Sequence, residues 1–333
     1  MRKYLIVGPS WVGDMVMAQS LFKLLKARHP DAIIDVIAPG WSTPILERMP
    51  EVRNSITLKT GHGEFKFTDR WTLGKSLRCE KYTHSITLPR SWKSALVPFA
   101  AQIPHRTGFH GEQRFILLND RRKLDKSVLN QTVKRFTYLG LDRSEILTSE
   151  HIHYPQLEVK HEHWPQLAEK FSLQVNQKAI AMMPGAEYGP AKQWPLDYFH
   201  QLAEQLEHKG YQVWIIGGPK DKAAGEVISN KLNNTYNLCG ETSLSDAVDL
   251  LAQAEQVVSN DSGLMHVAAA VGTRVHGIYG SSSPEFTPPL TDNKVIHTLN
   301  LECSPCFKRQ CPLGHLKCLT EIRIDSVLSR IVN

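Results

Sequence analysis

The chain has 333 residues, 41% hydrophobic and 22% charged, as in a soluble globular protein with apolar material for two cores of ordinary size. No run approaches the ~20 apolar residues of a membrane span, and Tyr4–Val7 stops at Gly8-Pro9, too short for a secretory signal. The expected location is therefore the cytoplasm. The net charge of +6 is uneven: residues 1–160 hold 25 Lys/Arg against 15 Asp/Glu, and residues 161–333 hold 14 against 18. A half at +10 beside a half at −4 suits an anionic partner (nucleic acid, an acidic membrane surface or a phosphorylated substrate) as readily as an unevenly solvated surface.

In chain order, the first segment reads strand, loop, helix. Tyr4–Val7 is a short apolar run, and GPSWVG is a turn-rich loop. From Met15 the apolar residues Ala18, Leu21, Phe22 and Leu25 follow at helical spacing until Pro30. Ala32–Ala38 is the next strand, completing a βαβ opening. The middle is less legible, with a strand at Ser85–Leu88 and helices at Trp92–Ala101 and Asn130–Leu139. A polar stretch over roughly residues 150–175 reads as an interdomain linker. Its His151, His153, His161 and His163 are explained more simply by exposure than by metal. This divides the chain into lobes 1–160 and 161–333.

The second half restarts the βα rhythm. Strands are expected at Ala179–Met183, Tyr211–Ile216, Thr235–Leu238, Gln256–Ser259 and Arg274–Tyr279, the last of them. Helices alternate with them: one to Lys209 with Pro195 as its first residue, one to about Leu232, then Leu244–Ala252 and Gly263–Val271. The expected class is α/β with two Rossmann-like, doubly wound lobes.

Five features could carry chemistry. In SNDSGLMH, a strand delivers Asp261 and Ser262 to the start of an Ala-rich helix. Free N–H groups there bind phosphate, Gly263 admits close approach, and His266 lies one turn in. Simple helix capping by Asp261 or Ser262 is the plainer alternative. Lys192, in the loop after the first strand of this half, can reach a phosphate at the same sheet edge; a solvated lysine is its alternative. Asp221, after Gly217-Gly218-Pro219-Lys220, can accept hydrogen bonds from ribose hydroxyls or merely face solvent. In the first half, Ser10, Gly13 and Asp14 lie where a glycine loop meets a helix, but the spacing is not that of a dinucleotide fingerprint. Asp14 is either a favourable helix-start charge or a carboxylate base facing the phosphate cradle of the other lobe. Last, Cys303, Cys306, Cys311 and Cys318 form C-x2-C-x4-C-x6-C, a weak zinc candidate against reduced, unliganded thiols.

The segments GPSWVGD, AKQWP and NDSGLMHVAAA resemble the lipopolysaccharide heptosyltransferase family over nearly the whole chain. The tail CSPCFKRQCPLGHLKC and the loop GAEYGPAKQWP point, within it, to the enzymes that add the second heptose. The resemblance implies a GT-B fold, two facing Rossmann-like lobes with a central cleft. It implies ADP-heptose as donor, bound mainly by the second lobe, and no required cofactor. The implied acceptor is heptosyl-Kdo2-lipid A at the inner face of the inner membrane, whose anionic groups suit the basic lobe; no nucleic acid is involved. Residue by residue, Asp14 matches the family's base and Lys192 the lysine at the donor phosphates. Asp261, Ser262, Gly263 and His266 match the donor-binding helix start, and Asp221 a ribose contact more loosely. The implied reaction is an inverting single displacement. The competing readings are a GT-B enzyme with another nucleotide sugar and a two-lobed solute-binding protein. An oxidoreductase is weaker, because the glycine fingerprint is missing.

Overall fold

The computed structural model describes residues 1–58 and 64–332. The chain divides into two compact units, Met1–Gln156 and Leu157–Asn333. Residues 152–160 carry no helix or strand, whereas Trp164–Lys170, part of the stretch expected as linker, is a helix that buries Leu167 and Ala168.

In the first unit, β1 (Lys3–Val7), β2 (Ile33–Ala38), β3 (Asn54–Thr57), β4 (His84–Thr87), β5 (His105–Phe109) and β6 (Asp120–Arg122) form one sheet. Its order is β3-β2-β1-β4-β5-β6, and every pairing is parallel. Residues 4–7 of β1 are buried because the sheet is covered on both faces, which is why this strand reads as a continuous apolar run. β3 (NSIT) and β6 (DRR) are edge strands with exposed positions, so they lack that signature. The helix after β1 begins at Val12, one turn before the apolar pattern that marks it, and ends at Arg28. Gly8 makes the turn possible: a Cβ there would lie 2.6 Å from Met15 Cε and 3.2 Å from the Ile37 carbonyl.

The second unit repeats the winding. β7 (Ala179–Met183), β8 (Gln212–Ile215), β9 (Thr235–Asn237), β10 (Gln256–Asn260), β11 (Arg274–Tyr279) and β12 (Lys294–Thr298) lie in the order β12-β11-β10-β7-β8-β9, again all parallel. β11, expected as the last strand, is followed by β12, whose half-buried KVIHT conceals it. Pro195 caps the helix Leu196–His208 from outside, with ψ of 136°, rather than opening it. Each sheet reverses its strand order once, between β1 and β4 and between β7 and β10. Open α/β sheets bind ligands outside the carboxyl ends of the strands at such a point.

Trp194 anchors the second core. It is fully buried, its indole N–H donates to the Ile322 carbonyl at 3.0 Å, and its ring meets Tyr198 and Phe199 edge-on. Trp194→Ala is expected to lower unfolding stability by about 3–5 kcal/mol, read from denaturant titration. A loss below ~1 kcal/mol would show that the site collapses around the gap.

A buried polar chain links β10, β11 and β12 to the C-terminal helix Ile324–Val332. Gln256 Nε2 donates to the Ile331 carbonyl, which orients its oxygen to accept from His276 Nε2 at 2.8 Å. His276 Nδ1 is then an acceptor for His297 Nε2, 3.1 Å away. Both rings are neutral: burial, followed by His297, pushes His276 down to about 3, and burial, followed by Arg330, pushes His297 down to about 4. The unfolded chain therefore takes up protons first as pH falls below ~6.5. The stability these rings contribute is complete above that pH and is lost toward pH 4. At pH 5 the loss is about 2 kcal/mol for each ring. Melting curves between pH 7.5 and 4.5, in the same salt, are expected to show a falling midpoint; a flat profile would refute the assignment.

Candidate active site

The carboxyl ends of β7 and β10 build a compact polar site in the second unit. At the end of β10, Asn260 ties the edge together: its Nδ2 donates to the Pro184 carbonyl at 2.6 Å, and its Oδ1 accepts from the Trp194 N–H at 3.0 Å. This fixes the loop after β7 against the end of β10 and brings Lys192 Nζ to 2.5 Å from Asp261 Oδ2. Thr287 Oγ1 donates to the other carboxylate oxygen at 3.4 Å. The pair is largely buried, with 18% of the Lys192 side chain and 5% of that of Asp261 exposed. Its geometry is therefore set by packing rather than by the weak attraction of a surface ion pair.

Ser262 occupies the N-cap of the helix Gly263–Ala270 in extended conformation, yet its side chain caps no backbone N–H. Its Oγ lies 3.2 Å from Ser259 Oγ instead. The plain capping alternative is thus not realised, and the first helical N–H groups keep no side-chain acceptor from the N-cap. His266 is buried one turn on, with Nδ1 lacking a partner among the described residues, and burial pushes its pKa down to about 4 against the opposing pull of Asp261. It is a neutral imidazole in the physiological range, not a cation for a phosphate.

Asp221 lies at the same edge, beyond β8, and accepts from the Gly218 N–H at 2.9 Å. Its carboxylate fills the space that a Cβ at Gly185 or Gly217 would need, with Oδ2 at 2.6 and 2.7 Å from those positions. Burial raises its pKa. Lys192, Asp261, Ser262, Gly263 and His266 thus come together, with Asp221 beside the start of the Lys192 loop.

The first-unit candidates sit at the matching place, beyond β1. Asp14 is half-buried in the first turn of the helix Val12–Arg28, and Gly13 is buried. The Ser10 carbonyl accepts from Trp41 Nε1 at 2.9 Å. Ser10 also lines a cavity of about 220 Å³ with Trp41, Arg70, Ser91 and Lys93. A larger cavity of about 490 Å³ lies over one face of the first sheet, lined by Arg2, Tyr4, His84, Ile86, His105 and Arg122.

In the cysteine tail, Cys303, Cys306 and Cys311 all lie near enough to Cys318 to act on its thiol, which burial, the larger cause, and these three neighbours push up. All six cysteines are free, and among the described residues no three His, Cys, Asp or Glu side chains are placed to hold a metal ion. The tail is pinned by its backbone to the loops of the site. The Ala191 N–H donates to the Arg309 carbonyl at 3.1 Å, and the Phe307 N–H to the Ser281 carbonyl at 2.7 Å. Of the linker histidines, His163 contacts Asp249 and His151 contacts Thr148.

The chain matches glycosyltransferase family 9 (heptosyltransferase) over residues 70–317. The lipopolysaccharide heptosyltransferase 2 of Salmonella typhimurium is 44% identical, with 99% of this chain and 97% of that protein covered. The chain belongs to the heptosyltransferases. A lipooligosaccharide heptosyltransferase 2 from Haemophilus influenzae is 45% identical over 98% of this chain and 97% of its own. The solved E. coli ADP-heptose lps heptosyltransferase II superposes with a TM-score of 0.89 at 43% identity, covering 99% of this chain and 97% of its own. This heptosyltransferase therefore has the GT-B fold class that its motifs implied. Three residues beside its Lys192 escaped the motif reading. Thr287 reaches Asp261 from a distant loop, Tyr188 meets Lys192 from within the same loop, and Arg309 reaches the Tyr188 ring only through the folded tail.

Proposed function

We propose that this heptosyltransferase moves L-glycero-D-manno-heptose from ADP-heptose to the first heptose of the lipopolysaccharide inner core, with inversion. The observation that carries the reading is the convergence of Lys192, Asp261 and an uncapped helix start at the strand-order reversal of the second unit. That is the equipment for a diphosphate leaving group. Asp14 takes the proton of the acceptor hydroxyl as its oxygen attacks the anomeric carbon, the bond to ADP breaks on the opposite face, and Lys192 with the Ser262–Gly263 helix start receives the charge. Asp221 accepts from a ribose hydroxyl, and the buried, unpartnered His266 Nδ1 accepts from a donor hydroxyl. Ser10 and Gly13 border the sugar. Because a lysine and fixed N–H groups can stabilise the charge of the leaving group, the reading requires no bound metal cation.

The acceptor belongs with the lobe of residues 1–160 and the donor with that of residues 161–333. Supporting this, guanidinium groups crowd beyond β4 and β5. Arg114 is pushed down to about 10 by burial and then by Arg90, and Arg135 is lowered by the same two causes. Such crowding favours an anionic ligand. No helix among the described residues is long and apolar enough to cross a membrane. Exposed Phe65, Phe67, Phe115 and Ile116, with Arg121 stacked 5.3 Å over Phe115, support a cytoplasmic protein that rests on an anionic bilayer surface.

The test is incubation with ADP-heptose and mono-heptosylated Kdo2-lipid A, with and without EDTA, followed by mass spectrometry of the lipid. A gain of one heptose in both arms is expected. No gain would sink the reading, a gain only without EDTA would overturn the cation-free part, and faster turnover with a nucleotide hexose would reassign the donor. Stabilisation by DNA rather than ADP would favour a nucleic-acid protein. Failure to sediment with phosphatidylglycerol vesicles would remove the bilayer contact.

A further inference from the structure

Lys192 and Asp261 neutralise one another, and His266 is uncharged near neutral pH. Lys220, on the neighbouring loop, is paired with Glu187. A diphosphate arriving at this edge therefore meets helix N–H groups but no net positive charge from these side chains. One further cation stands beside them. The guanidinium of Arg309 lies 5.3 Å from the centroid of the Tyr188 ring, and Lys192 Nζ lies 5.3 Å from the same centroid. Among the described residues Arg309 forms no ion pair with a carboxylate.

The backbone holds this arrangement. Tyr188 Oη donates to the Phe307 carbonyl at 2.8 Å, and the Ala191 N–H donates to the Arg309 carbonyl at 3.1 Å. Gly189 has φ of +149°, and a Cβ there would lie 2.6 Å from that carbonyl oxygen, so only glycine lets the two segments approach this closely. Ser304 Oγ and the Phe307 N–H fasten the tail to the carbonyls of Gly280 and Ser281 beyond β11. The cysteine-bearing tail thus works as a brace that carries an arginine to the lysine loop.

We propose that Arg309 is a second cation of the donor site and binds the diphosphate of the nucleotide, with Tyr188 holding it and Lys192 against one ring. This rests on the donor reading above. The Lys192–Asp261 pair sets geometry, and Arg309 supplies the net charge that the pair lacks. A guanidinium also offers two parallel N–H donors to phosphate oxygens, which an ammonium group does not.

The test is calorimetric titration of the full-length protein and its Arg309→Ala and Arg309→Lys variants with ADP and with adenosine, alongside donor KM. Arg309→Ala is expected to weaken ADP binding by roughly 10-fold to 100-fold, the range of a charge-assisted hydrogen bond. It should raise donor KM in parallel, while adenosine affinity and the ligand-free melting point stay unchanged. Arg309→Lys should recover part of the loss. Gly189→Ala, which pushes the Arg309 carbonyl away, should mimic Arg309→Ala toward ADP. Unchanged ADP affinity in Arg309→Ala, or equal losses for ADP and adenosine, overturns the proposal and leaves the heptosyl-transfer reading intact. Arg309-dependent ADP binding without heptose transfer overturns that reading and leaves the subsite standing. A wild-type protein that does not bind ADP overturns both.

Discussion

Asp14→Asn is expected to bind ADP-heptose as tightly as the wild type and to lose roughly 10²–10⁴-fold in kcat, the usual contribution of a positioned general base. The substitution keeps the shape of the side chain and removes only its ability to take a proton. The location of Asp14 sharpens the prediction. It sits in the first turn of the helix Val12–Arg28, whose N-terminal end favours the charged carboxylate and so weakens it as a base. In the proposed reaction the donor phosphates would push the other way, raising the pKa through like charge. The acid limb of kcat, which reports the bound complex, is therefore expected at higher pH than the acid limb of kcat/KM, which reports the free enzyme. Both limbs should vanish in Asp14→Asn. Near-normal turnover in the variant would remove Asp14 from the base role. Coincident limbs in the wild type would remove the part played by the donor.

The legible parts of this chain are those whose signal is local. β7, buried over its whole length, and the helix Gly263–Ala270, announced by a small-residue turn, lie where their residues alone place them. The segments beyond β1, β7 and β10 could be singled out because glycines and polar residues interrupt apolar strands there, which is where a βαβ unit exposes backbone. β3, β6 and β12 were hidden for the opposite reason. An edge strand is covered less completely, so NSIT, DRR and KVIHT carry too little apolar character to stand out. The environment of Lys192 was hidden more deeply. Asp261 is 69 residues away along the chain, and Thr287 and Arg309 reach the same place through loops with no periodicity at all. The cysteines drew the eye to the tail for their thiols, whereas its contacts with the site are made by the backbone and by the residues between them.

Lys192→Ala carries the second large effect, because it does two things at once. It removes the cation assigned to the leaving diphosphate, which is expected to lower kcat/KM by at least ~10²-fold. It also leaves the Asp261 carboxylate, 5% exposed, without its partner. Breaking a buried pair from one side costs about 3 kcal/mol and disturbs the site by itself. The single variant therefore cannot separate a lysine that acts on the donor from one that merely balances Asp261. The double variant Lys192→Ala/Asp261→Asn does. It removes both charges, and Asn keeps an oxygen to accept from Thr287 Oγ1, which now contacts the carboxylate at 3.4 Å. Thermal stability is expected to recover toward wild type in the double variant, and ADP affinity to recover in part through the helix start, while turnover stays low. Recovery of turnover together with stability would mean that Lys192 serves only as the counter-ion of Asp261. The leaving-group charge would then fall to the N–H groups of Gly263 and its neighbours, a helix start whose N-cap side chain leaves them uncapped.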